Sequence, residues 1–249
     1  MTVIAGLSAK GSPGVSLAMW TIAHLWPRPA IAIEVDECGG TWALRHGLTT
    51  EPGLASLAST QDHLNHRVAS GHGHEVAPDR HVVCAPRESN IIGAALVWLD
   101  ERLRAWPNDN DLLVDVGRVR SNTIRDNAAI ARADTLLVFT RPRPEDLGPL
   151  AHLLTELGAA TAATTDLQVV VVGSSPYSPE AAVDALRDLS GVARIRLGAA
   201  IPDDPLTAAA IARGGRKGTK VAARWFGPLV NELASGSAHR SPTHVGTVR

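Results

Sequence analysis

The residues best suited to chemistry form a glycine-rich segment that follows a short apolar run, 2–7. The segment contains Lys10, Gly11, Ser12, Pro13, Gly14, Val15, Ser16 and Leu17, and a helical pattern begins within it at Val15. Where a strand passes into a helix, backbone N–H groups face an anion, and glycines let the backbone approach it. The segment therefore predicts a phosphate-binding loop, with a glycine-rich turn that binds no ligand as the alternative.

The common phosphate-loop pattern, G-x-x-x-x-G-K-[ST], is matched only in part. Gly14 and Ser16 fit this pattern, whereas Ala9 replaces its first glycine and Val15 replaces its lysine. Lys10 lies inside the turn and is one of only three lysines in the sequence. We therefore take Lys10 as the candidate cation of this loop.

Two aspartates occur at or near the ends of strand-like runs. Asp36 closes the run 30–36, and Asp115 lies in the run 111–117. Ligands of open α/β sheets bind outside the carboxyl ends of the strands, so an aspartate there is a candidate site residue. The alternatives are that Asp36 caps the next turn and that Asp115 is only an edge residue.

Strands and helices must alternate to position these residues. Strand candidates are 2–7, 30–36, 81–85, 111–116, 135–140, 167–173 and 192–197, and helix candidates are 15–25, 90–106, 123–133, 145–158, 179–189 and 221–233. The strand candidates are near-continuous Val/Ile/Leu runs, which indicate a parallel sheet covered on both faces. This alternation predicts a three-layer α/β sandwich with a mainly parallel sheet of about seven strands.

Composition narrows the class of protein. The chain has 249 residues, 45% of them hydrophobic and 20% charged, with a net charge of −1. These values fit one α/β domain over 1–235, followed by a polar tail, 236–249, that we expect to be disordered. Cys38 and Cys84 form no disulfide framework, and no apolar run reaches the ~20 residues of a spanning helix, so a cytoplasmic protein is expected.

The glycine-rich segment resembles the deviant Walker motif of the ParA/MinD family of P-loop ATPases, K-G-G-x-G-K-[ST]. Here the motif reads K-G-S-P-G-V-S. The resemblance implies that residues 11–17 bind ATP, that Ser16 holds Mg²⁺, and that Lys10 reaches the partner's phosphates across a homodimer. Val15 falls on the lysine that bridges the β- and γ-phosphates, a role that valine cannot perform.

Further segments resemble the family in the same chain order. The sequence E-V-D-E-C-G-G, residues 34–40, is similar to the D-x-D-x-x-G-G segment of its pilus-assembly (CpaE/TadZ-like) branch, with Glu34 in place of the first aspartate. Asp36 then falls on the carboxylate that orients the attacking water. Asp115 falls on the aspartate that holds Mg²⁺ through water opposite Ser16, although Gly117 comes one position earlier than the family's glycine.

The last part of the resemblance concerns the nucleotide base. Pro202 and Asp203 lie in the sequence I-P-D-D-P, which resembles the family's I-P-x-D segment near the adenine. The family's base-reading asparagine is absent, and Gly173 occupies its position. The resemblance extends from about residue 2 to residue 214.

Two other groups of side chains carry alternatives. The histidines His63, His66, His72 and His74 could hold a metal ion, but a solvated loop is the favoured interpretation of this segment. A basic run comprises Arg213, Arg216, Lys217, Lys220 and Arg224. It predicts either a solvated helix surface or a contact with DNA phosphates, anionic lipid or an acidic protein. The polar tail has no apolar stripe, so no membrane-targeting helix is expected.

The resemblance implies a nucleotide-binding, dimerising switch that positions a partner complex in chromosome or plasmid partition, or in pilus or secretion machinery. Weak or absent ATP hydrolysis is expected, with ATP and Mg²⁺ as cofactors. One alternative is a pseudo-ATPase that serves as a protein-interaction module and binds no nucleotide. Another is an active partition ATPase that DNA stimulates.

Overall fold

The computed structural model describes residues 2–11, 13–103, 106, 110–120, 123–124 and 127–238. Its strands form one eight-stranded sheet in the order β3-β4-β2-β5-β1-β6-β7-β8. The strands are β1 (Val3–Ser8), β2 (Ala30–Glu34), β3 (His74–Ala77), β4 (Arg80–Val83), β5 (Asp111–Arg118), β6 (Thr135–Thr140), β7 (Asp166–Val172) and β8 (Ile195–Ile201). Every neighbouring pair is parallel except β3 and β4, so the predicted α/β class is confirmed.

The helices cover both faces of this sheet, which is why its central strands are mostly apolar and buried. They are α1 (Val15–Leu25), α2 (Trp42–His46), α3 (Leu54–Ala58), α4 (His66–Gly71), α5 (Ser89–Leu103), α6 (Ala128–Arg132), α7 (Pro144–Ala160), α8 (Pro179–Ser190), α9 (Pro205–Arg213) and α10 (Gly215–Ala238). One core packs α1, α2, α9 and α10 against one face. A larger core packs α3 to α8 against the other. The three layers are those predicted.

The structure departs from the predicted elements in several places. The segment 49–79 contains the extra strand β3, which pairs with β4 across a tight turn where Asp79 has φ 59°. The predicted helix 123–133 corresponds to α6 over Ala128–Arg132, and α2 and α9 are additional helices. The last strand runs over Ile195–Ile201 rather than 192–197. The last helix begins at Gly215 and continues to Ala238, so it includes the first residues of the predicted tail. The rest of that tail, 239–249, lies outside the described residues.

No helix in the described ranges is both long and apolar enough to cross a membrane.

The amino ends of the central strands converge on the carboxylate of Asp111. Oδ1 accepts the Thr2 N–H at 2.7 Å, and Oδ2 accepts the indole N–H of Trp26 at 2.9 Å. Arg28 binds the same Oδ2 and also donates to the carbonyl of Ala234 in α10 at 2.8 Å. One carboxylate thus connects β1, the approach to β2, β5 and the last helix.

Candidate functional site

The predicted phosphate loop connects β1, which lies between β5 and β6, to α1 at the carboxyl end of the sheet. Gly14 is the N-cap of α1 and has φ 89°, a conformation that glycine adopts without strain. The Ser8 hydroxyl donates to the Lys10 carbonyl at 2.8 Å and holds the start of the loop. Ser12 lies outside the described residues. The loop therefore occupies the position from which the amino end of α1 can bind an anion.

Val15 belongs to the hydrophobic core. Only 5% of its surface is exposed, and it packs in the core between α1 and the sheet. The nearby Gly6 leaves room for this packing, because a side chain there would overlap Met19. The position that carries a phosphate-binding lysine in the resembled motif therefore contributes packing and no charge.

Lys10 pairs with a carboxylate of the same chain. Its Nζ lies 3.7 Å from Oδ1 of Asp146 in the first turn of α7, and 45% of its side chain is exposed. A pair this accessible contributes little to stability and leaves the ammonium group able to exchange partners. Lys10 is thus held beside the loop, with its charge accessible to an incoming anion.

Asp115 and Ser16 lie close together, and the Ser16 hydroxyl interacts with the Asp115 carboxyl group. Asp115 is fully buried in β5, between β1 and β2, so the edge alternative is wrong. Its Oδ1 accepts the Gly117 N–H at 3.1 Å, while its Oδ2 is buried and has no hydrogen-bond partner in the part of the chain that the structure describes. Burial and the nearby Glu34 raise the pKa of Asp115 well above its usual range, and the neighbouring Ser16 hydroxyl opposes part of this effect.

This arrangement fits Mg²⁺, which prefers carboxylate, hydroxyl and water oxygens. Among the described residues no donor reaches the buried Oδ2, and the hydroxyl of Ser16 interacts with the same carboxyl group. A cation near this carboxylate would offset the cost of burying its charge. Ser16 and Asp115 are therefore the residues that would hold the metal.

Asp36 lies against the turn that ends β5. Its Oδ1 accepts the Cys38 N–H at 2.9 Å, the local turn that the sequence left open as an alternative, and it also accepts the Arg118 N–H. Burial raises the pKa of Asp36. Gly117, with φ 66°, leaves the space that the Asp36 carboxyl group fills. The two strand ends that carry Asp36 and Asp115 are thus packed directly on each other.

Glu34 has a role that the sequence did not reveal. Its fully buried carboxylate accepts the backbone N–H groups of Thr41 at 2.6 Å, Trp42 at 3.1 Å and Ala85 at 3.1 Å. Burial is the largest effect on its pKa, which is raised, and these three donors oppose it. Glu34 therefore fixes the loop that follows Asp36 to the end of β4.

A cavity of about 270 Å³ extends from the phosphate loop to the segment that resembles I-P-x-D. Pro13, Gly14 and Leu17 line it from the loop, and Pro202 and Asp203 line it from the end of β8. Arg141, which sequence reasoning did not select, lies in the same wall. The cavity brings together the predicted phosphate and base segments, which are nearly the whole chain apart in sequence.

The basic run lies elsewhere, at the junction of α9 and α10. All five of its side chains are exposed. Arg216, Lys220 and Arg224 follow one another at intervals of four residues and so share one face of α10, with Lys217 beside them. The run forms a positively charged surface and is separate from the cavity residues.

The histidine-rich segment does not form a shared site. Nδ1 of His72 lies 2.9 Å from the Ser56 hydroxyl, and Nε2 of His74 lies 3.0 Å from the Thr49 carbonyl. Among the described residues, no three His, Cys, Asp or Glu side chains are grouped so as to hold a metal ion.

This chain is similar to known proteins in its three-dimensional structure. No protein-family model matches the sequence, and no curated protein matches it. Many solved structures match this chain, and three that cover nearly all of it illustrate the likeness. A ParA family ATPase from Chlorobium tepidum TLS shares 18% identity with a TM-score of 0.70, covering 96% of this chain and 100% of that chain.

The other two are MinD proteins. The cell division ATPase MinD of Pyrococcus furiosus shares 19% identity with a TM-score of 0.68, covering 94% of this chain and 99% of that chain. The septum site-determining protein MinD of Pyrococcus horikoshii OT3, complexed with Mg-ADP, shares 17% identity with a TM-score of 0.63, covering 98% and 100%. The chain therefore has the P-loop fold of the ParA/MinD ATPases.

Proposed function

We propose that this protein is a cytoplasmic nucleotide-binding switch of the ParA/MinD type that dimerises on ATP–Mg²⁺ and positions a partner complex. The observation that carries this proposal is the buried carboxyl group of Asp115, which interacts with the Ser16 hydroxyl and whose Oδ2 has no donor among the described residues. A protein that had abandoned nucleotides would gain stability by replacing such a carboxylate. The similar MinD of Pyrococcus horikoshii OT3 binds Mg-ADP, which supports the same ligand here.

Each candidate residue has a distinct task in this proposal. The amides from Gly11 to Ser16 and the amino end of α1 would bind the phosphates, while the segment that contains Pro202 and Asp203 and lines the same cavity would lie beside the base. Lys10 would leave Asp146 to neutralise phosphate charge. Mg²⁺ bound by Ser16 and Asp115 would neutralise charge on the phosphate oxygens. Asp36 would orient the water that attacks the terminal phosphate.

Hydrolysis is expected to be weak or absent. The buried Val15 offers no cation at the bridge between the β- and γ-phosphates. Losing one preorganised group that stabilises developing charge costs about 3–4 kcal/mol of transition-state stabilisation, or 10²- to 10³-fold in rate. We therefore propose that nucleotide binding, rather than rapid turnover, controls dimerisation.

Isothermal titration of the full chain with ATP–Mg²⁺ tests the proposal. We expect saturable binding that Lys10→Ala weakens by about tenfold and that requires Mg²⁺. Glu37→Ala, an exposed change on the loop after β2, is the control and should leave the affinity unchanged. No heat at millimolar ATP would instead identify a pseudo-ATPase that uses the fold only for protein interaction.

A second candidate is a partition ATPase stimulated by DNA. The exposed basic face of α10 favours it, because lysine and arginine at this spacing can contact successive phosphates. Phosphate release with and without DNA, at low and high salt, tests it. A response that falls with salt and is lost in a Lys217→Glu/Lys220→Glu variant supports this candidate, and a flat response excludes it.

A further inference from the structure

The phosphate loop lacks a firmly placed cation. Val15 is buried in the core, and Lys10 is drawn towards Asp146. A nucleotide carries several negative charges on its phosphates, so the site must obtain positive charge from outside the loop. The strand next to β1 is followed by an arginine that could supply it.

Arg141 is the first residue after β6, which pairs directly with β1. Its side chain, 28% exposed, lines the cavity together with Pro13 and Gly14. It also lines a narrow crevice together with Lys10 and Gly11. Arg141 thus lies beside both the first and the last residues of the phosphate loop.

The charge of Arg141 is only partly neutralised. Its Nε lies 3.3 Å from Oδ2 of Asp203, and Arg143 approaches the same oxygen at 3.9 Å. Two guanidinium groups therefore share the carboxylate of Asp203, so neither has it as an exclusive partner. Arg45, from α2, also lines the cavity, as does Asp204, so the charged side chains in its wall are two arginines and two aspartates.

We propose that Arg141 binds the polyphosphate chain of the nucleotide in place of the missing lysine, and that Asp203 is the counter-ion it exchanges for phosphate. This inference rests on the proposed function, since it names the cation of the same site. A guanidinium group binds two phosphate oxygens at once, and its planar fork is better suited to this than a lysine. Asp203 is half-exposed and can turn to Arg143 when Arg141 leaves it.

Arg143 provides a matched control. It contacts the same carboxylate and lies two residues away, but it is not among the residues that line the cavity. If Arg141 only linked the end of β6 to the end of β8 through Asp203, substitution of either arginine would have the same effect on ligand affinity, and loss of the Asp203 carboxylate would weaken binding. If Arg141 binds phosphate, the Asp203 carboxylate competes with the ligand for the guanidinium group.

The test is calorimetric titration of the full chain with ATP–Mg²⁺ and with inorganic tripolyphosphate, which has no base. We expect Arg141→Ala to weaken both ligands by roughly tenfold or more, and Arg143→Ala to change them by less than about threefold. Arg141→Lys should retain part of the affinity. Asp203→Asn should strengthen tripolyphosphate binding, because it removes the competing charge.

Each remaining outcome overturns the inference. Equal effects of Arg141→Ala and Arg143→Ala, with ATP still bound by the wild type, refute the role of Arg141 and leave the proposed function intact. Weaker tripolyphosphate binding by Asp203→Asn refutes the exchange, even if Arg141→Ala fails to fold. Absence of binding by the wild-type protein refutes both the inference and the proposed function.

Discussion

The carboxyl group of Asp36 fills the space that a side chain at Gly117 would need, where two neighbouring strands end. A side-chain carbon at Gly117 would overlap the carboxyl group of Asp36, and the φ of 66° at Gly117 independently favours glycine. The residue before it, Val116, is an extra residue in the pairing of β5 with β1, where Gly6 pairs with Asp115 and Leu7 with Gly117. This bulge turns the end of β5 towards Asp36.

Gly117→Ala should therefore destabilise the protein and displace Asp36. We expect a loss of about 2–4 kcal/mol in the free energy of unfolding, from overpacking and a strained backbone. Urea unfolding measures this loss. Gly11→Ala is the control, because a side-chain carbon there meets nothing within 4 Å. Equal stability of the two variants would show that the contact between Gly117 and Asp36 is not present in solution.

Glu34→Ala should weaken the structure around the candidate site. Removing the carboxylate leaves the buried N–H groups of Thr41, Trp42 and Ala85 without an acceptor. We expect a loss of at least about 2 kcal/mol in the free energy of unfolding, since each buried donor left unpaired costs about 1–3 kcal/mol. The exposed neighbour Glu37→Ala should change it by less than about 0.5 kcal/mol. A loss of less than about 0.5 kcal/mol for Glu34→Ala would contradict the role of its carboxylate as the acceptor of these three N–H groups.

Asp115→Asn should stabilise the protein without Mg²⁺, and the gain should depend on pH. Burial raises the pKa of Asp115 above its ordinary value of 3.8, so the folded chain holds this proton more tightly than the unfolded chain. Folding therefore loses stability as pH rises through and above that ordinary value. We expect little difference between variant and wild type near pH 4, and at least about 1 kcal/mol in favour of the variant near pH 7.5.

Urea unfolding at the two pH values measures the difference, and the exposed Asp62→Asn serves as the control. Mg²⁺ with ADP should stabilise the wild type but not Asp115→Asn, because the variant lacks the charged ligand. If Mg²⁺ with ADP stabilised both proteins to the same extent, Asp115 would not be a ligand of the metal.

Val15→Lys should strengthen nucleotide binding, because it restores the cation of the common phosphate-loop pattern. The expected gain is about tenfold in ATP affinity with a measurable rise in phosphate release. The stability of the variant should fall by about 1–2 kcal/mol, since Val15 packs in the core. Val15→Met, which keeps the position apolar, is the control. Unchanged affinity in Val15→Lys would show that this position does not face the phosphates.

The helices and strands whose formation depends on residues close together in the sequence were predicted well. The helix 15–25 and the strand 135–140 agree with α1 and β6, because a long apolar pattern bounded by turns needs no partner to be recognised. The strand β3 was missed because it has only four residues and none of them is buried. Such a short edge strand forms only because β4 is there to pair with it.

The site was predicted less completely, because its contacts join distant segments. Ser16 and Asp115 were found through the motifs that contain them. The partners of Glu34 and Arg141 were not, since Ala85 lies 51 residues from Glu34, and Asp203 lies 62 residues from Arg141. The two residues of each pair come together only through the order of the strands in the sheet, and the spacing of residues along the chain does not reveal that order.

The two ends of the strands differ mechanically. At the amino end, Asp111 joins Thr2, Trp26 and Arg28, and through Arg28 the last helix, so displacement there would break several short hydrogen bonds together. Among the described residues of the opposite end, Glu34 makes the comparable set of contacts. Rearrangement of the loops there would leave the contacts of Asp111 intact, whereas displacement of α10 would pull on them through the carbonyl of Ala234.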